Sequence, residues 1–145
     1  MTVLSDVEIE KRVMQKSLVL TPYEPDSLNG AGYDLRLNMD VTIPAGKQEL
    51  VATLEKVELP TDLVATLHIR SSLARAGIIA SLALVDPGFR GQLTISLYNA
   101  GIEPCSMKKG DKFVQMVVHL LGMKTQHPYE GRYQDSQGIV QRRET

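Results

Sequence analysis

Apolar residues along this chain recur mostly at every second position, in short runs bounded by Gly, Pro, Asn and Asp. The runs are YDLRLNMDVTI (33–43), QELVATLEKVEL (48–59), LVATLHI (63–69), QLTISLYN (92–99) and DKFVQMVVHLL (111–121). Successive side chains of a strand point to opposite faces, so this period predicts half-buried strands. PAGK, DPGFRG and KKGD break the runs and read as turns. Many short strands at this spacing predict an all-β barrel or sandwich. The exception is the N-terminal end. Ser5 followed by Glu8 is a capping box, and Leu4 and Ile9 stand where a hydrophobic staple would, which predicts a helix from about Asp6 to Gln15 with Val7, Ile9 and Val13 inward. TPYEPDSLNGAG (21–32) reads as a surface loop. The closing TQHPYEGRYQDSQGIVQRRET lacks periodicity and reads, taken alone, as a disordered end. Its Arg132, Arg142 and Arg143 could order it on an anionic ligand.

Length and charge narrow the class. A chain of 145 residues, 43% of them hydrophobic, suits one well-buried core, so a single domain over 1–145 is expected. With 16 basic and 17 acidic side chains, no basic surplus points to nucleic acid. Two phenylalanines and no tryptophan leave few stacking platforms for single strands, so no nucleic-acid partner is expected. The lone Cys105 permits no intrachain disulfide and no CxxC metal framework. No apolar window approaches the roughly 18 residues of a membrane span. Nor does the start resemble a signal peptide. The expectation is a soluble cytoplasmic protein with no membrane partner.

Candidate chemistry lies in a few short segments. In RSSLARAG, Ser71 is a natural N-cap for one helical turn that Gly77 would stop. Ser71 and Arg75 share a face there. Hydroxyl, guanidinium and free backbone N–H groups would converge on an anion such as phosphate. The plain alternative is a capped turn whose arginines pair with surface acids. In VDPGFRG, Asp86 ends an apolar run before a Pro-Gly turn. A carboxylate so placed can orient and deprotonate water, although Asp also favours turn starts for structural reasons. Ser96 falls on the polar side of QLTISLYN beside Thr94, without a GxSxG elbow. The three histidines, His68, His119 and His127, show no pairing and no metal-ligand spacing. Asp34 starts a strand behind two glycines, and Gln115 sits inside an apolar run where its amide needs a partner or a ligand.

Taken in order, AGYDL, RSSLAR, VDPGFRG, KFVQM and the glycine-bearing tail resemble the superfamily of trimeric dUTP diphosphatases and dCTP deaminases over nearly the whole chain. The N-terminal helix, RSSLAR and YEGRYQDSQG are similar to the deaminase branch, AGYDL and QLTISLYN to the diphosphatase branch. The resemblance implies a distorted β-barrel or jelly-roll of the dUTPase-like, β-clip type with a short N-terminal helix. Deaminases of this superfamily activate water with a glutamate at the position that is Ser96 here, and a serine cannot shuttle the proton needed to expel ammonia. The implied activity is therefore hydrolysis of dUTP to dUMP and pyrophosphate, with Asp86 activating the water that attacks the α-phosphorus. Arg70, Ser71, Ser72, Arg75 and Gln115 would hold the phosphates, joined by Arg132 of a C-terminal arm, 126–145, that closes over the site. Leu82, Ala83, Val85, Phe89, Tyr129 and Gln137 would hold the nucleoside, with Phe89 against the deoxyribose and Tyr133 an alternative to Tyr129 near the base. Mg²⁺ would be carried mainly by the substrate phosphates, and the chain would form a homotrimer with sites between subunits. Two other readings stay open: a dCTP deaminase, bifunctional or not, with another group in place of the glutamate, and a nucleotide-binding homologue without turnover.

Overall fold

The computed structural model describes residues 2–144. Fourteen segments follow in order, β1 (Thr2–Val3), α1 (Asp6–Met14), β2 (Val19–Thr21), a 3-10 turn (Pro25–Ser27), β3 (Leu28–Asn29), β4 (Gly32–Arg36), β5 (Val41–Ile43), β6 (Gln48–Glu58), β7 (Leu63–Ile69), α2 (Ser71–Arg75), β8 (Ile78–Ser81), β9 (Arg90–Asn99), β10 (Cys105–Met107) and β11 (Lys112–Leu120). They make three antiparallel sheets that wrap one core without closing into a continuous barrel. In the largest, β11 pairs β7 on one edge and β4 and β1 on the other, and β3 extends β4. In the second, the order is β2, β6, β9, β8. The third is the pair β10 and β5. The alternating pattern does what it predicts: Ile95 and Leu97 of β9 and Val114, Met116 and Val118 of β11 all point into the core. The sheets meet on Tyr33, Leu35 and Phe113, each fully buried.

The capping box forms in both directions, with Ser5 N donating to Glu8 Oε2 at 2.9 Å and Glu8 N to Ser5 Oγ at 3.4 Å. Ile9 is buried beneath α1, but Val7 is 70% exposed and does not face inward as expected. Two residues turn an α-helix by about 200°, so Val7 and Ile9 cannot share a face. The run 33–43 is also not one strand. The chain bends after Arg36, where Leu37 N donates to Asp111 O and Asn38 N to Ala52 O, and re-forms as β5 in another sheet.

One ion pair has its acid fully buried. Glu55, 0% exposed, accepts from Arg36 N at 2.9 Å and Arg36 Nε at 2.7 Å, and Arg36 Nη2 donates to Pro22 O at 3.0 Å. Burial alone would lower the pKa of Arg36. The hydrogen bond and charge of Glu55 outweigh it and hold the guanidinium above its ordinary value.

The tail is the largest departure from the sequence reading. It folds against the chain. Strand β8 leaves β9 after Ser81, so the β9 edge at Arg90–Gln92 is open on the side away from β6. The tail fills that edge. Gly91 and Ser136 form a parallel bridge, Gln92 N donates to Ser136 O at 2.9 Å, and Val140 N to Thr94 Oγ1 at 2.9 Å. A bidentate pair between Arg90 and Asp135, both contacts 2.8 Å, anchors its start. The hydrogen bond and charge of Arg90 hold the Asp135 carboxyl below its ordinary pKa. A depressed carboxyl stabilises the folded form above its unfolded pKa and loses that contribution as pH falls through the folded one. The expected result is that protection of the Gln92 and Gly138 amides from hydrogen exchange drops first as pH is lowered below about 4, before the core amides respond.

Candidate active site

The structure sorts the anticipated residues into two separate clusters. One surrounds the Asp86 turn. Val85 exchanges both backbone hydrogen bonds with Ala65 of β7, at 2.9 and 3.1 Å. Gly88 N donates to Leu59 O, and Tyr129 N to Pro87 O. Gly88 has φ +86, and a Cβ there would lie 2.7 Å from Pro128 Cβ, so only glycine fits this turn against the tail. The turn around Asp86 is thereby held from β7, from Leu59 just past β6, and from the tail. Its half-buried carboxylate makes no hydrogen bond or ion pair among the described residues.

Asp86 faces a cleft of about 590 Å³ between the 82–86 loop, the polar side of β9 and the tail. Ala83, Phe89 and Tyr129 line it, as does Thr94. Phe89 is 7% exposed and meets the Tyr129 ring edge-on, with centroids 5.5 Å apart and planes at 71°. The backbone groups of Ala83 and Leu84 pair with no other backbone group among the described residues, so they are free to bond a ligand edge. Val85 is not: its side chain is in the core and its backbone is spent on β7. Leu82 packs against the core instead of lining the cleft. Gln137 lines a neighbouring polar depression with Lys56, Gln92 and Asp135. Arg132 turns away, donating to Arg143 O at 2.8 Å, and the cleft instead takes Tyr133 and Arg142. Arg142 is one of the three tail arginines that the sequence offers to an anion; docking of the tail on β9 brings it to the cleft.

Ser96 lies on the polar side of β9, where its Oγ accepts from Gln48 Nε2 at 2.9 Å. Gln48 also borders the cleft, a residue the sequence reading missed because only the β6–β9 register brings it there.

The second cluster sits at the other end of β7. Arg70 is the N-cap of α2 and makes no side-chain cap, so Ser71 is the first helical residue and not the cap that was expected. Ser71 and Ser72 are exposed, with their N–H groups at the open end of the turn. Behind them runs a chain of polar contacts. Arg70 Nε lies 3.5 Å from Asp34 Oδ2, Asn29 Nδ2 donates to Asp34 Oδ1 at 3.1 Å, and Gln115 Nε2 donates to Asn29 Oδ1 at 2.9 Å. Arg75 points to the far side of α2, beside Gly101 and Cys105, and shares no pocket with Arg70 or Ser72. His68 and His119 both bond Thr66 Oγ1, so each is satisfied within the sheet.

Within one chain the two clusters do not meet. Val85 is bonded to Ala65, five residues before Arg70 along β7. At about 3.3 Å per residue that is roughly 16 Å, too far for one phosphate chain to span from within the Asp86 cleft without a second surface closing on it. Among the described residues no three His, Cys, Asp or Glu side chains converge as a metal cage. No helix among them is long and apolar enough to cross a membrane.

Comparison with known proteins gives this arrangement a family. Residues 20–140 match the dUTPase family model. The chain is 42% identical over 142 residues to a dCTP deaminase of Pyrococcus horikoshii, covering 88% of this chain and 91% of that one. It is 29% identical over 153 residues to a probable deoxyuridine 5'-triphosphate nucleotidohydrolase of Sulfolobus islandicus rod-shaped virus 1, covering 95% and 96%. The crystal structure of a 2'-deoxycytidine 5'-triphosphate deaminase from Agrobacterium tumefaciens superposes with a TM-score of 0.72 at 17% identity, over 83% of this chain and 49% of that chain. The chain belongs to the dUTPase family, within the dUTPase and dCTP deaminase superfamily.

Proposed function

We propose that this protein is a dUTP diphosphatase that converts dUTP and water to dUMP and pyrophosphate, in a site completed between copies of the chain. The observation that carries the reading is the contrast between Asp86 and Ser96. Asp86 offers the cleft a carboxylate with no competing partner on a turn whose backbone is held, whereas position 96, which does not line the cleft, offers only a hydroxyl already held by Gln48. A carboxylate can take a proton from water as it attacks the α-phosphorus, and pyrophosphate leaves as the α–β bridge breaks. Deamination needs a group that delivers protons to a departing amine, and no second acid lines this cleft among the described residues.

The nucleoside half is the Asp86 cleft, with the Ala83 and Leu84 backbone available to the base and Phe89 beside the sugar. The phosphate half is the cluster of Arg70, Ser71, Ser72 and Gln115. Because these halves lie at opposite ends of β7, a neighbouring copy supplies one of them, which accords with a homotrimer. The arm, already seated on β9, closes the nucleoside half and brings Arg142 towards the phosphates. The phosphate cluster is made of donors, which suits Mg²⁺ arriving on the triphosphate. Bound there, the ion would neutralise phosphate charge.

A second reading, dCTP deamination, is favoured by the name of the Pyrococcus relative at 42% identity. The deciding experiment incubates the protein with Mg²⁺ and dUTP, dCTP or dTTP separately and assays pyrophosphate and ammonia. Pyrophosphate and dUMP from dUTP alone are expected. Ammonia from dCTP would replace this reading with the second, and neither product from any nucleotide would leave a binding protein.

A further inference from the structure

We propose that Asn29 is a positioning residue that locks the Gln115 amide and the Arg70 guanidinium into one phosphate-facing unit, through Asp34. The inference rests on the reading that this cluster binds the triphosphate. The polarity of the chain of contacts follows from its acid end. An ionised Asp34 only accepts hydrogen bonds, so Asn29 must turn its Nδ2 towards Asp34. The Asn29 Oδ1 is then left to face Gln115, and it can only accept. Gln115 therefore holds its Nε2 against Asn29, at 2.9 Å, and cannot flip; one amide hydrogen goes to Asn29 and the second is left to donate to a phosphate oxygen. A free amide would turn over readily, and half of its orientations would aim the carbonyl at a phosphate. Asp34 also meets Arg70 through its other oxygen, so the same carboxylate orients both ends of the unit.

The backbone is shaped around this relay. Gln115 stands opposite Asp34 across the β11–β4 pair, and Asn29 stands opposite Gly32 across β3–β4. A Cβ on Gly32 would lie 3.0 Å from Gln115 Nε2 and 2.6 Å from Met116 O, so glycine leaves the opening through which the amide reaches Asn29. Asp34 is only 9% exposed, which strengthens its hold on both partners. Asn29 itself lies outside every segment that pointed to phosphate in the sequence.

The test compares the full-length protein with Asn29→Ala and Asn29→Ser, and with Gln115→Ala in parallel. Calorimetry gives the affinity for a non-hydrolysable α,β-imido dUTP and for deoxyuridine, which has no phosphate. Kinetics gives kcat for pyrophosphate release, and melting gives Tm. Losing the relay is expected to weaken the triphosphate analogue roughly 3- to 15-fold, the scale of one hydrogen bond. Deoxyuridine affinity should stay within about twofold and kcat within about threefold. Equal weakening of both ligands, or a loss that follows Tm in both variants, would make Asn29 structural and overturn the proposal. Triphosphate affinity that falls in Gln115→Ala but not in the Asn29 variants sinks the relay alone. Affinity unchanged in Gln115→Ala removes the phosphate reading, and the relay with it.

Discussion

With Asp86 as the proposed general base, replacing it by asparagine is expected to lower pyrophosphate release from dUTP by about 10²- to 10⁴-fold, the range that a positioned general base contributes. The substitution is isosteric, and the Asp86 carboxylate has no hydrogen-bond or ionic partner among the described residues, so nothing in the fold is disrupted by losing its charge. The turn is held by backbone contacts, Val85 to Ala65 and Gly88 to Leu59, which asparagine leaves in place. An amide cannot accept the proton of the attacking water. The loss therefore falls on the transition state, and affinity for the imido analogue should remain within roughly tenfold. Single-turnover assays and calorimetry on the same preparation check both halves. Parallel loss of affinity and rate would assign Asp86 to the structure of the turn.

Replacing Glu55 by alanine should have the largest effect on stability, about 3–5 kcal/mol, because it leaves a largely buried guanidinium without its counter-charge and the Arg36 backbone N–H without its acceptor. Arg36 and Glu55 have side-chain exposures of only 16% and 0%, so water can replace the lost carboxylate only in part. Against a typical total of roughly 5–15 kcal/mol, such a change brings a domain close to unfolding at ambient temperature. Removing both charges at once, as Arg36→Met with Glu55→Leu, should recover part of the loss: apolar pairs often replace buried ion pairs without penalty, but the Arg36 backbone N–H loses its Glu55 acceptor. Denaturant midpoints of the three variants decide the matter. A single Glu55→Ala variant that unfolds at the wild-type midpoint would show that the pair contributes nothing net.

Much of this architecture was legible in residue order. The strands β6, β7, β9 and β11 follow from alternation, because a half-buried sheet must send every second side chain inward. The cap of α1 and the turn at Asp86 follow from local chemistry that acts within four residues. What failed did so for non-local reasons. The run 33–43 alternates throughout, yet bends after Arg36 because Leu37 and Asn38 take their backbone partners from two different parts of the chain. The tail reads as disordered in isolation, yet it completes a sheet edge that exists only because β8 departs from β9.

The candidate site divides along the same line. Asp86, Phe89 and the Arg70–Ser72 segment could be named from motifs, since each needs only its neighbours in sequence to take its local form. Gln48 and Asn29 could not, because strand register places them, and tail docking alone selects Arg142 over Arg132. Periodicity and short-range hydrogen bonding were enough for a β fold, one core, an aspartate turn and a donor-rich turn. That the two turns stand towards opposite ends of one strand, and which amides and guanidinium surround each, came from strand pairing and tail docking. Those distances come from pairing between residues far apart in sequence, which local pattern does not encode.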